Sequence, residues 1–150
     1  MTFEQTEIRA CLPNYEMISN KVCPLVIKIS RILLFRHPSA GVQLVKGTIQ
    51  PNETSISAAI RELKEESGLS CESIPISLGI WDAEFEDQIW EFFLCSFEGD
   101  LFETWEHITE DDHGHTFKFF WHDLHKKSES HCHPVYQRAL VEIQKRNNLQ

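Results

Sequence analysis

The sequence predicts a mixed α/β (α+β) fold, with a mixed β-sheet covered by one central helix and one C-terminal helix. Three observations carry that expectation. Short runs rich in Val, Ile, Leu and Phe recur between turn residues, as strands do. Apolar residues around position 60 recur at helical spacing, and a second helical segment follows Pro134. At 150 residues the chain has the length of one ordinary domain. No repeat, low-complexity tract or linker-like run divides it, so residues 1–150 are expected to form a single domain.

Taken in order, residues 1–20 show little periodicity and are read as an extended lead-in. Residues 21–29 and 32–36 read as two strands around a turn at Ser30 and Arg31. A Pro- and Gly-bearing loop at 37–41 precedes a short strand at 42–45 and a second loop at 46–52. Ile56, Ala59, Ile60 and Leu63 stand at i, i+3, i+4 and i+7, the stripe of an amphipathic helix. Asn52 and Thr54 are candidate caps at its start, and Gly68 closes it. Strands are expected at 74–80, 88–97 and 117–121, the last after a polar loop at 109–115. Pro134 suits a first helical turn, and the final helix should run to about Arg146.

Composition narrows the function classes. Hydrophobic residues at 41% and charged residues at 25% are globular values. Fourteen Lys and Arg against 23 Asp and Glu give a net charge of -9, which repels polyphosphate backbones in the absence of a basic tract. Long nucleic acid is therefore not an expected partner, whereas small anionic substrates stay open if a metal ion neutralises them. No apolar run reaches the ~18 residues of a membrane span. The opening MTFEQTEIRA carries acids where a signal peptide needs positive charge. The five cysteines, Cys11, Cys23, Cys71, Cys95 and Cys132, are scattered without CxxC spacing, as expected for reduced thiols in a cytoplasmic protein. Cys23 and Cys95 fall in expected strands and read as small buried hydrophobes. Seven of the eight histidines lie between His107 and His133, but HCH at 131–133 with His125 matches no common zinc spacing.

Chemistry concentrates in residues 47–69, GTIQPNETSISAAIRELKEESGL. On a helix Glu62, Glu65 and Glu66 share one face, roughly 100° around the wheel from the apolar stripe at 3.6 residues per turn. Like charges at that spacing repel, and a hard divalent cation such as Mg²⁺ or Mn²⁺ reverses the sign of the interaction.

This segment resembles the Nudix box, G-x5-E-x7-R-E-U-x-E-E-x-G-U with U a bulky aliphatic. Gly47, Glu53, Arg61, Glu62, Leu63, Glu65, Glu66, Gly68 and Leu69 fill every defined position. Seven fixed identities coincide by chance roughly once in 10⁸ starts at average residue usage. The resemblance implies an α/β/α sandwich and a metal-dependent pyrophosphohydrolase. Its substrate would be a nucleoside diphosphate linked to another moiety or a related polyphosphate, a dinucleoside polyphosphate or nucleoside triphosphate among them. The alternative is a nucleotide-binding regulatory module of the same fold without turnover.

Carried over by position, the resemblance makes Glu62 and Glu66 the principal ligands of Mg²⁺ or Mn²⁺. Glu65 would be a third or bridging ligand and the backbone carbonyl of Lys46 a fourth. Glu53 and Arg61 would fix the loop against the helix. The general base is left open among Glu62 and the loop acids Glu110, Asp111 and Asp112. Val45-Lys46 stands where many relatives carry Pro-Gly. The Lys46 side chain and Arg36 are candidate phosphate contacts, and His113 and His115 lie where the family places substrate-loop residues. A small phosphorylated substrate and a homodimer are the partners expected from the resemblance.

Overall fold

The computed structural model describes residues 17–110, 114–129 and 131–148. The lead-in expected at residues 1–20 falls largely outside that range. Among the described residues nine strands and two helices follow in the order β1 (Lys21–Leu25), β2 (Ile27–Lys28), β3 (Arg31–His37), β4 (Gly41–Gln43), β5 (Gly47–Thr48), α1 (Ser55–Ser67), β6 (Ile76–Asp82), β7 (Ile89–Leu94), β8 (Trp105–Ile108), β9 (Thr116–Asp123) and α2 (Pro134–Asn147).

The sheet is divided in two. A mixed sheet runs β5-β1-β7-β6, in which β1 lies parallel to β7 and antiparallel to β5. A second sheet runs β2-β3-β9-β8, with β4 also on β3, and every pairing in it is antiparallel. The expected single strand at 21–29 is thus two, and the chain changes sheets at Val26. The Leu25 carbonyl accepts from the Cys95 N–H at 2.8 Å on one side, and the Val26 carbonyl accepts from Leu33 at 2.9 Å on the other.

Strand β3 explains why the fold is layered. Ile32 and Leu34 face a core shared with Trp90, Phe92 and the α2 residues Tyr136, Ala139 and Ile143. Leu33 and Phe35 face the opposite way, onto Leu63 of α1, Phe117 and Phe119. A strand covered on both faces needs a continuous apolar run rather than alternation, and ILLF supplies it. Cys23 and Cys95 are buried in these cores.

Helix α1 is capped by the Thr54 side chain, which accepts from the Ser57 N–H at 3.1 Å. It ends on Gly68, whose φ of 82° is the left-handed conformation open to glycine. Its buried face departs from the expected stripe. Ala58, Ala59, Leu63 and Ser67 are buried, while Ile56 and Ile60 stay 39% and 37% exposed. The helix is rolled so that its small residues meet Val22 and Phe93, which carries Glu62 and Glu66 inward rather than leaving them on a solvated side.

Strand β8, where the sequence reading expects no strand, is a four-residue edge strand docked on the end of α1. Its Trp105 indole donates to the Ser67 carbonyl at 3.0 Å, and the His107 Nε2 meets the Glu65 carbonyl at 2.9 Å. Both contacts satisfy last-turn carbonyls that a helix leaves unpaired.

The two-residue turn between β2 and β3 is Ile29-Ser30, one position earlier than the sequence suggests. Ile29 adopts φ 62° and is 99% exposed. A β-branched residue is strained there, and hairpin turns with a positive φ at the first position favour glycine. Ile29→Gly should therefore stabilise the fold by about 1 kcal/mol, raising Tm by roughly 2–4 °C. A thermal melt that falls on substitution would contradict this account of the turn.

Candidate active site

The carboxylates of α1 stand at the wall of a cavity of about 400 Å³. Glu62, Glu65 and Glu66 form one side of it; His37 from the end of β3, His107 from β8, His115 just before β9 and Phe117 within it form the other. Glu110 also lines it, whereas Asp111, Asp112 and His113 lie outside the described residues.

Gly47 explains how Glu62 reaches its place. A Cβ at this position would lie 1.9 Å from the Glu62 carboxyl carbon, so the carboxylate occupies the space a side chain would fill. Only glycine allows that approach. The Glu62 side chain is 12% exposed and accepts from the Arg61 Nη1 at 2.8 Å.

Arg61 is the organising cation. Its Nε and Nη2 grip Glu53 at 2.7 and 2.9 Å, Nη2 also donates to the Thr48 carbonyl at 3.0 Å, and Nη1 bridges Glu62 and Glu65 at 2.8 and 3.2 Å. Glu53 further accepts from the Gln50 N–H at 3.0 Å. This fork binds the 48–53 loop to the helix, and Arg61 with that N–H holds the Glu53 carboxyl down at about 2.

Glu66 lies in the opposite electrostatic situation. It accepts the Lys46 N–H at 3.3 Å, but burial, with Glu62 close by, pushes its carboxyl up to about 8. The cluster thus holds more negative charge than its partners neutralise. Three carboxylates offering hard oxygens suit Mg²⁺ or Mn²⁺ by donor chemistry. They are not yet gathered: among the described residues no three His, Cys, Asp or Glu side chains are arranged to hold one cation. The Arg61 guanidinium stands between Glu62 and Glu65.

Two expected phosphate contacts are placed elsewhere. Arg36 is not among the residues lining the cavity. It pairs with both Glu129 carboxylate oxygens at 2.6 and 2.8 Å and lies over Phe120. Successive strand residues point to opposite faces, so Phe35 and His37 share one side of β3 and Arg36 the other. The Lys46 ammonium donates to Gln88 at 3.0 Å and sits 4.9 Å from the Trp90 ring centre, and burial pushes its pKa down. It likewise does not line the cavity.

His37, like Lys64, His107 and Thr109, is a cavity residue that the sequence did not single out, although strand parity from Phe35 would have found it. Its Nδ1 accepts from the Ser39 and Ala40 N–H groups, each at 3.1 Å, so the neutral ring carries its proton on Nε2. The His115 ring lies 4.9 Å away. Thr109 closes the intervening loop, its N–H donating to the His115 carbonyl at 2.9 Å. Of the remaining histidines, the His133 Nδ1 accepts from the Val135 N–H as a helix cap.

A Nudix domain is matched over residues 22–140. The chain belongs to the Nudix family, a class of hydrolases acting on pyrophosphate bonds. No curated protein matches it. Among solved structures it is similar to a MutT Nudix hydrolase from Burkholderia pseudomallei, at 23% identity and a TM-score of 0.60, covering 85% of this chain and 98% of that one. The Bacillus subtilis pyrophosphohydrolase BsRppH superposes with a TM-score of 0.64 at 17% identity, over 91% and 85% of the two chains. An ADP-ribose pyrophosphatase from Streptococcus suis does so at 0.60 and 19%, over 84% and 90%. At these identities the likeness is one of fold.

The two perturbed carboxyls impose opposite pH dependences on stability. Glu53, held low, contributes above its ordinary value of 4.5 and loses that contribution as pH falls toward 2. Glu66, held high, favours the fold while neutral, so its contribution is intact below 4.5 and is lost as pH rises toward 8. With a chelator present, denaturant midpoints should decline between pH 4.5 and 8, and Glu66→Gln should flatten that decline. An unchanged slope in the variant would show that Glu66 is not its source.

Proposed function

We propose that the protein is a divalent-metal-dependent pyrophosphohydrolase. Its substrate is a small molecule carrying a nucleoside-diphosphate linkage or a related polyphosphate, and it acts in the cytoplasm. The observation that carries this reading is the under-neutralised carboxylate cluster on α1, set in the wall of a cavity large enough for such a ligand. Glu62, Glu65 and Glu66, with the Lys46 carbonyl, would hold Mg²⁺ or Mn²⁺. The ion would supply positive charge against the phosphate oxygens, where phosphoryl transfer needs it.

The chain's own groups supply the rest. Arg61 and Glu53 hold the loop and the helix in one frame, so the carboxylates keep their place as charge develops. A carboxylate takes the proton of the attacking water, from Glu62 or from the loop acids Glu110, Asp111 and Asp112. Of those loop acids, Glu110 borders the cavity. His37, His107 and His115 line the cavity opposite the carboxylates, where a substrate's phosphate groups would lie.

Phosphate release should be measured over a panel of dinucleoside polyphosphates, nucleoside triphosphates, nucleotide sugars and ADP-ribose, with Mg²⁺ or Mn²⁺. ADP-ribose belongs there because one structural neighbour is named for hydrolysing it. Turnover of at least one member, abolished by chelation and lowered by at least about 10²-fold in both Glu62→Gln and Glu66→Gln, is the expected result. Nucleotide binding without turnover across the panel would instead favour a non-catalytic binding module.

Gly47→Ala adds no charge but takes the space of the Glu62 carboxylate. It should keep the fold and lose roughly 10–100-fold in turnover, the scale on which mispositioned ligands act. Full activity in this variant would refute the role given to the Gly47 contact.

A further inference from the structure

On the far side of the fold from the carboxylates, β9 ends beside α2, and a groove of about 320 Å³ opens between them. That volume is at the small end of the ~300–1,000 Å³ of ligand-binding cavities. His122, Lys126 and Lys127 line it above the buried Leu124 and Leu140.

His122 is the anomaly that calls for an explanation. It is 8% exposed, faces the groove, and no hydrogen bond among the described residues reaches its ring. Buried ring nitrogens are normally satisfied, and an exception points to a missing partner. The charge around it identifies that partner's sign. Among the described residues Glu129 is the one acid lining the groove; Arg36 holds both of its carboxylate oxygens, and His122 adds to the positive charge that lowers its carboxyl. Lys126 and Lys127 belong to no ion pair among the described residues, so the groove carries uncompensated positive charge in a chain of net charge -9. Two ammonium groups and an imidazole N–H match a dianion with several acceptor oxygens. The leucine floor matches an apolar body attached to it.

We propose that this groove is a second, non-catalytic binding site that takes a small organic phosphate. His122 and the two lysines hold the phosphate group, and the body of the ligand lies on Leu124 and Leu140. The site shares no lining residue with the carboxylate cavity, and it stands whether or not the hydrolase reading does.

The test is a titration of the full chain, labelled in its histidine rings and followed by NMR at constant ionic strength. Inorganic phosphate and adenosine monophosphate are the probes. The His122 resonance should move saturably with both and reach its midpoint at lower adenosine monophosphate than phosphate. In Lys126→Gln/Lys127→Gln, which alters no buried residue, affinity should fall by about 10-fold with the thermal melt unchanged. A stationary His122 resonance, or an equal midpoint in the double variant, would overturn the site. Adenosine monophosphate binding no more tightly than phosphate would overturn its assignment to an organic phosphate. A His122 shift that only follows those of His37, His107 and His115, and disappears in Glu62→Gln/Glu66→Gln, would assign the response to the first cavity.

Discussion

The guanidinium of Arg61 is the contact on which the site depends. Its five N–H donors meet five acceptors: two oxygens of Glu53, one each of Glu62 and Glu65, and the carbonyl of Thr48. A lysine could not reproduce this, because it lacks the planar fork that spans a loop and a turn of helix at once. Through Glu53 and Thr48, Arg61 locks the segment containing Gly47 against α1, and Gly47 in turn leaves the space that Glu62 fills. Remove that cation and three carboxylates crowd one helical face with little to offset their repulsion.

The arrangement is stable but incompletely neutralised, and the unevenness is informative. Glu53 is satisfied twice over and is held ionised, whereas Glu66 is enclosed with one backbone donor and a like charge beside it. A fold selected for stability alone has no use for such a carboxylate, since an apolar side chain of similar volume costs less to bury. Strain of this kind belongs at sites that bind an ion or do chemistry. The cavity wall opposite is built by different means. The end of β3 and the β8–β9 hairpin bring His37, His107 and His115 together from two distant parts of the chain, and β8 also closes the end of α1 through Trp105 and His107.

The fold class and the carboxylate cluster could be read in the sequence because both rest on short-range patterns. Capping by Thr54, termination at Gly68, the shared face of Glu62, Glu65 and Glu66, and the start of α2 at Pro134 depend on neighbours within a few positions. The split into two sheets was not legible. It turns on whether Leu25 and Val26 find Cys95 or Leu33 as partners, about 70 residues away in one case and seven in the other. The four-residue strand β8 was missed for a related reason, since its identity comes from docking on β9 and α1.

Arg36 and Lys46 show the same division most clearly. Sequence offers both as candidate phosphate contacts. Strand parity sends Arg36 to Glu129, and burial carries the Lys46 ammonium to Gln88 and Trp90. The sequence by itself determined the helix, its caps and the acids that one face of it must carry, because helical geometry converts spacing directly into position. Only the tertiary structure decided how far the helix rolls, which residues oppose its carboxylates and where the free positive charge lies. Those outcomes depend on packing between segments distant in the chain, which no local spacing encodes.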